Sequence, residues 1–364
     1  MRIAIDAREI VGQPTGVGRY LSEQLAGWAE LPEASAHEFI LCGPPGVVAP
    51  ARAPVRTTVA TSPGAGTRWE QIALRRLLTE TRADVLFAPA YSGPLWCPVP
   101  MVLAMHDVSF AAHPEWFAWR EGARRRLLAR VCASQAARVL TLSEFSRREI
   151  IQWLGTPPDR IDVIPLGVSE RVRTAPRTTG PRRPHVLYVG SLFNRRHLPA
   201  LIDGFTRFAS HEPSSRLDIV GDNRTRPFVD VPALAAASAA SDRIRLHEYI
   251  SDDDLARLYA EAGVFVFLSE YEGFGLTPLE ALAAGVPIVV LDTEVAREVY
   301  GAAALYVARP DPALIADAVA QAVAAGPERE AIAAATPAVL ARYSWPACAR
   351  ATLEALLEAG RRGA

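Results

Sequence analysis

Short runs of consecutive apolar, often β-branched residues alternate along this chain with longer stretches whose apolar positions recur at helical spacing. In the first half the runs are Ile3–Ile5, Glu38–Cys42, Val85–Ala88, Val102–Met105, Arg138–Thr141 and Ile161–Ile164. In the second they are Val186–Val189, Leu217–Val220, Ile244–His247, Val264–Leu268 and Ile288–Leu291, with Ala304–Val307 the last strand-like segment. A strand that is apolar on both faces must be buried on both, and such strands alternating with helices predict parallel sheets. Helical periodicity returns near Pro312–Ala324 and again from Ser344 to Glu358, through Cys348, Leu353, Leu356 and Leu357.

The pattern breaks once, over Arg171–Pro184, a stretch rich in Arg, Thr and Pro. A new strand follows Pro-Arg-Arg-Pro at once, so this reads as a linker. The expected fold class is α/β with two Rossmann-like domains. The first covers 1–172, the linker 173–184, and the second 185–343. The helix 344–364 is expected to pack back toward the first domain. Paired open sheets bind ligands beyond the carboxyl ends of their strands, which points to a cleft between the domains.

Composition narrows the function. The chain has 364 residues, a comfortable length for two cores. A net charge of −1 argues against a nucleic-acid binder that relies on positive potential. The first residues read as a strand rather than a signal peptide, and no apolar run approaches a membrane span. The four cysteines have neither metal-ligand nor disulfide-rich spacing, so a reducing cytoplasm is expected. Lysine is absent, and all 39 basic residues are arginine. That excludes a pyridoxal-phosphate Schiff base and the usual nucleotide P-loop, which both need a lysine amine.

The most informative segment runs from Ser269 to Ile288, Ser-Glu-Tyr-Glu-Gly-Phe-Gly-Leu-Thr-Pro-Leu-Glu and onward. A buried strand enters a glycine-bearing loop, and a helix is expected to start near Thr277-Pro278, where proline suits the first turn. Backbone N–H groups of Phe274, Gly275 and Leu276, beside Gly273, would then face phosphate or sugar hydroxyls. Glu272 falls in the loop and Glu280 about one turn into the helix, where carboxylates can accept pairs of hydroxyls. Taken alone, two glutamates at this spacing are better read as a solvated helix face. The surrounding strand, loop and helix favour the ligand reading.

These residues resemble the signature of the retaining glycosyltransferases of family 4, which have the GT-B fold. The same resemblance extends over nearly the whole chain. It includes Pro14-Thr-Gly-Val-Gly-Arg-Tyr20, His106-Asp-Val-Ser-Phe110 with Pro114-Glu-Trp-Phe117, and Thr141-Leu-Ser-Glu-Phe-Ser-Arg-Arg148. Ile164-Pro-Leu-Gly-Val168 and Tyr188-Val-Gly-Ser-Leu-Phe-Asn-Arg-Arg-His-Leu198 complete it. Among members it looks most like bacterial transferases of O-antigen and exopolysaccharide synthesis, many of which use mannose. The resemblance implies two Rossmann-like domains facing across a cleft, with Glu280 on the nucleotide ribose and Glu272 and the following amides on the transferred sugar. It also implies that His106 contacts the donor sugar's 6-hydroxyl, its backbone carbonyl facing the anomeric region, with Asp107 on the acceptor side.

The chain departs from the family at several positions. Arg196 stands for a lysine that meets the diphosphate, which keeps the charge but replaces a compact ammonium with a planar fork. His197 replaces asparagine, and Thr277 stands where proline is common. Glu248 stands where glycine is common, beside Tyr249 and Ile250 in the expected base pocket, and leaves the base open.

Each remaining candidate has an ordinary alternative. Gly16-Val17-Gly18 reads as a loop before a helix, able to aim amides at a diphosphate, or as a plain turn. Arg195 and Arg196 follow a strand end, where they would neutralise the departing diphosphate, or form a solvated basic loop. Asp222 and Asn223 line the nucleotide pocket or cap the next segment. His106, Asp107 and His113 match no strong metal pattern, and no metal or other cofactor is expected. Trp116 to Arg130 holds three aromatics and five arginines. With the arginines on every side, it reads as a partly exposed helix near the acceptor opening rather than a membrane anchor. Peripheral contact with the inner face of the cell membrane stands beside that reading.

The chain is therefore expected to move a hexose, with mannose and GDP-mannose leading, from a nucleotide diphosphate sugar to a glycan or lipid-linked acceptor. The expected mechanism is a front-face displacement with retention and no metal. Two rivals are a nucleotide-sugar isomerase or hydrolase, and a non-catalytic partner subunit. The second would be expected to have lost Glu280 or the Gly-Phe-Gly loop, and both are intact.

Overall fold

The computed structural model describes residues 1–12, 16–169 and 183–363. Pro14 and Thr15 of the glycine motif and residues 173–182 of the expected linker lie outside them. The chain forms two compact units, Met1–Gly167 with Tyr343–Ala364, and Val168–Arg342. The division falls at Gly167 rather than at 172. Gly167 packs so tightly on Trp345 that an added Cβ would lie 2.1 Å from its backbone nitrogen.

Among the described residues, the first unit carries a seven-stranded parallel sheet in the order β3-β2-β1-β4-β5-β6-β7. Its strands are β1 (Arg2–Asp6), β2 (Glu38–Gly43), β3 (Thr57–Thr61), β4 (Val85–Ala88), β5 (Met101–Ala104), β6 (Arg138–Thr141) and β7 (Ile161–Val163). The central strands β4 and β5 are buried at every position, as their unbroken apolar runs require. β3, Thr-Thr-Val-Ala-Thr, is an additional strand that the apolar pattern does not mark. It sits at the sheet edge with two exposed threonines and a half-exposed valine. Met105 and Ile164, expected inside strands, lie just beyond their ends.

The C-terminal helix Trp345–Gly363 packs on the helix Gly16–Glu30 of the same unit. Trp28 donates its indole N–H to the Ala349 carbonyl at 2.8 Å, and Gln24 donates to Thr352 at 3.2 Å. Gly27 lies at the crossing, where a Cβ would come within 2.5 Å of the Ala349 Cβ. Any side chain there would push the helices apart.

Among the described residues, the second unit carries a six-stranded parallel sheet in the order β10-β9-β8-β11-β12-β13. These strands are β8 (His185–Val189), β9 (Arg216–Val220), β10 (Ile244–His247), β11 (Val264–Phe267), β12 (Ile288–Leu291) and β13 (Ala304–Val307). Leu268 falls just past β11. The helix Pro327–Leu340, alanine-rich with a weak apolar stripe, is one that periodicity did not mark.

One buried acid interrupts the apolar strands of this sheet. Asp218, 1% exposed, lies 2.7 Å from His185 Nε2 on β8, 2.6 Å from His247 Nε2 on β10 and 2.6 Å from the Arg216 guanidinium. Burial would raise its pKa. The hydrogen bonds from the two histidines, with the nearby charges of His185 and Arg216, outweigh burial and hold it at about 2.

Candidate functional site

In the second unit, the carboxyl end of β11 leads into Leu268, Ser269 and the loop 270–275, and the helix Leu276–Ala283 follows. The helix begins one residue earlier than proline placement suggests, because Gly275, at φ 85°, serves as its N-cap in the left-handed region. Only glycine adopts that conformation freely, and a Cβ would also lie 2.1 Å from the Tyr300 hydroxyl. That hydroxyl donates to the Gly275 carbonyl at 2.8 Å and pins the turn. As a glycine, Gly275 offers the helix no side-chain cap. Phe274 is buried.

The loop 270–272 is clasped by the turn Asn194–Arg196 that follows β8. Arg196 Nε donates to Glu272 Oε1 at 2.9 Å, and its Nη2 lies 2.7 Å from the same oxygen. Ser269 donates to that oxygen too, at 2.8 Å. Arg195 Nε donates to the Tyr271 carbonyl at 3.2 Å, and His197 Nε2 lies 3.2 Å from Glu270. Arg196 also rests on the Phe267 ring at 4.8 Å. Gly190 makes room for it, since a Cβ there would sit 2.7 Å from Arg196 Nη1.

The side chains of Arg196 and Glu272 are 12% and 17% exposed, so the pair is largely withdrawn from water. Burial pushes the Glu272 pKa up, but the Arg196 charge foremost, then Arg195 and the hydrogen bonds, bring it below the ordinary carboxylate value. Burial opposes the Arg196 charge, and Glu272 more than restores it. Both groups are ionised at neutral pH.

Asp222 joins this cluster through Ser191. Ser191 donates to Asp222 at 2.7 Å, while its carbonyl accepts from Arg196 Nη1 at 2.8 Å. Asn223 is engaged in its own loop, accepting from Thr225 N at 3.1 Å and donating to the Val229 carbonyl at 2.9 Å. Glu280, half-buried on its helix, accepts from the Tyr259 hydroxyl at 3.3 Å. Tyr249 and Ile250 follow β10 at the sheet edge, Tyr249 67% exposed. The direct cluster is thus Arg195, Arg196 and Glu272, extended to Asp222 by Ser191. Ser191, Ser269, Tyr259 and Tyr300 were not foreseen. Their one signal in the sequence is that Ser191 and Ser269 lie close behind strand ends.

In the first unit, Gly16, Val17 and Gly18 do not form a loop. They are the first turn of the helix Gly16–Glu30, which Gly16 enters at φ 34°. Any ligand-directed amides there are helix-terminal ones. His106 follows β5 and lies half-buried, with Nε2 2.9 Å from the Pro89 carbonyl. Burial lowers its pKa, so the ring is neutral. A carbonyl can only accept, so Nε2 carries the proton and Nδ1 is the bare nitrogen. Asp107 Oδ1 accepts from Ser109 N at 2.8 Å and from Ser109 Oγ at 2.6 Å, anchoring the short helix Ser109–Ala112. His113 stacks on Trp116 at 3.9 Å instead of turning toward His106 as a ligand partner. Among the described residues, no three His, Cys, Asp or Glu side chains gather to hold a metal ion.

Two family profiles match this chain. One described as Glycosyltransferase Family 4 covers residues 14–172, and one described as Glycosyl transferases group 1 covers 175–339. Its first half thus matches family 4 and its second half group 1, which makes the chain a glycosyltransferase. The O-antigen chain mannosyltransferase B of Escherichia coli is 29% identical over 264 residues, 70% of this chain and 69% of that protein. The GDP-mannose:cellobiosyl-diphosphopolyprenol alpha-mannosyltransferase of Xanthomonas campestris is 29% identical over 68% of this chain and 64% of its own. Anabaena HepE, solved with UDP and glucose, superposes with a TM-score of 0.74 over 98% of each chain at 18% identity. That likeness assigns this glycosyltransferase the GT-B architecture of two Rossmann-like domains. No helix among its described residues is long and apolar enough to cross a membrane.

Proposed function

We propose that this glycosyltransferase transfers a hexose, mannose first among them, from a nucleotide diphosphate sugar to a glycan or lipid-linked acceptor of cell-surface polysaccharide. The observation that carries the reading is the withdrawn Arg196–Glu272 pair beside a helix start whose N-cap is a glycine. A guanidinium and helix-terminal amides suit a diphosphate, and a fixed, ionised carboxylate suits sugar hydroxyls. The curated relatives named for mannose transfer favour that sugar, and the GDP-mannose enzyme among them favours that donor.

In the proposed reaction the anomeric carbon–phosphate oxygen bond breaks and the acceptor oxygen bonds to the same face of that carbon. The leaving phosphate takes the acceptor's proton. Arg196, with Arg195, stabilises negative charge as it gathers on the leaving oxygen, in place of a metal. Glu272 accepts from the transferred sugar and Glu280 from the ribose. His106, through its bare Nδ1, accepts from the sugar's 6-hydroxyl.

We propose that peripheral contact with the inner face of the cell membrane, a surface contact and not an anchor, uses the helix Trp119–Gln135. Trp119 and Leu127 are exposed there beside Arg120 and Arg124. Proton NMR of the glycoside formed in excess EDTA tests the mechanism. Product with the donor's anomeric configuration is expected, whereas inversion, or activity that only added magnesium or manganese restores, would overturn it.

A further inference from the structure

His106 is held on one ring edge by the Pro89 carbonyl, a single contact about which an imidazole could still turn. The second restraint is a residue of the glycine motif that the proposed chemistry leaves unused. Tyr20, 4% exposed on the helix Gly16–Glu30, meets the His106 ring at a centroid distance of 4.7 Å and an interplanar angle of 81°. An edge-to-face contact of this kind fixes a ring plane as well as its position.

Tyr20 is itself fixed. Phe87 and Trp345 each lie 6.3 Å from its ring. The C-terminal helix thus steadies Tyr20, and Tyr20 steadies the imidazole.

We propose that Tyr20 is a positioning residue, whose ring holds the His106 imidazole in the plane that presents Nδ1 to substrate. This rests on the reading of His106 as a donor-sugar contact. A packed aromatic at this place orients the acceptor nitrogen without touching the reacting atoms.

The test compares Tyr20→Phe and Tyr20→Leu in the full chain. Tyr20→Phe keeps the ring and gives up only the hydroxyl, so turnover stays near parental. Tyr20→Leu lowers kcat roughly ten- to hundredfold, as loss of orientation does, while affinity for GDP alone is unchanged. Nitrogen-15 NMR of histidine-labelled protein, with His106 assigned through His106→Gln, reads the ring directly. The protonated Nε2 and bare Nδ1 persist in Tyr20→Phe and average in Tyr20→Leu. Parental kcat in a folded Tyr20→Leu, or equal loss in both variants, overturns the proposal. If His106→Gln itself leaves kcat unchanged, the role of His106 falls, and the spectra alone decide. An unaltered His106 signal in Tyr20→Leu then overturns the positioning claim.

Discussion

Replacing Arg196 by alanine should injure the protein twice, and the two injuries can be measured apart. Arg196 and Glu272 are 2.7 Å apart with side chains 12% and 17% exposed. Removing the arginine leaves Glu272 largely buried with Ser269 as its remaining donor to Oε1 and Arg195 as the nearest cation. Breaking a buried pair from one side costs about 3–5 kcal/mol. Partial exposure and Arg195 place this case at or below the lower end, roughly 2–3 kcal/mol. For a unit of this size that lowers Tm by roughly 4–12 °C. Glu272→Gln added to Arg196→Ala should recover much of the loss, because the stranded charge is gone. Turnover should not recover, since the double variant still lacks the cation proposed to meet the leaving phosphate. Losing such a contact costs about a hundred- to a thousandfold in kcat, with a smaller change in donor KM. Arg196→Lys should retain the charge and most activity, less what the bidentate fork contributes. Differential scanning fluorimetry and steady-state kinetics on the four proteins decide it. Near-parental kcat in Arg196→Ala would refute the catalytic charge, and an unchanged Tm would refute the buried-pair argument.

Three further outcomes follow from other residues. Glu280→Ala should weaken nucleotide-sugar binding by roughly 1.5–3 kcal/mol, the worth of hydrogen bonds to a charged acceptor, and calorimetric titration showing unchanged affinity would remove Glu280 from the site. Asp218 has a folded pKa of about 2, below its unfolded value, so its stabilisation is fully present above roughly pH 4 and is lost as pH falls toward 2. Urea unfolding of the parent from pH 5 to 2 should show roughly 2 kcal/mol of this decline, and Asp218→Asn should flatten it; parallel curves would contradict the assignment. Trp119→Ser with Leu127→Ser should reduce co-sedimentation with vesicles of mixed phosphatidylglycerol and phosphatidylcholine, and equal sedimentation of variant and parent would discard that face as the membrane contact.

How far the sequence reaches depends on which physical constraint each residue obeys. β4, β5 and β11 were legible because burial on both faces excludes unpartnered polar residues, leaving runs no loop would carry. β3 was not, because an edge strand half in water has no such constraint. Glycine before a helix reads as a loop, yet Gly16 already belongs to the first turn, since glycine can enter a helix from a φ that other residues avoid. Arg196 and Glu272 were each picked out by position in the chain, but their pairing was hidden. It joins turns that are 76 residues apart and depends on Gly190 leaving space for a guanidinium. Tyr20 stood in plain view within the glycine motif, and only its ring against His106 shows what it does.

The claim that this glycosyltransferase draws on a nucleotide diphosphate sugar is tested most directly by a thermal-shift panel. GDP-mannose, GDP-fucose, UDP-glucose, UDP-galactose and UDP-N-acetylglucosamine would be titrated against the parent and Glu280→Ala. A ligand at a hundredfold its Kd stabilises the native state by about 2.7 kcal/mol, enough to raise Tm by several degrees. GDP-mannose should give the largest shift in the parent and a much smaller one in Glu280→Ala. A larger shift from a UDP sugar would correct the donor, and a panel in which no nucleotide sugar moves Tm would contradict the account itself.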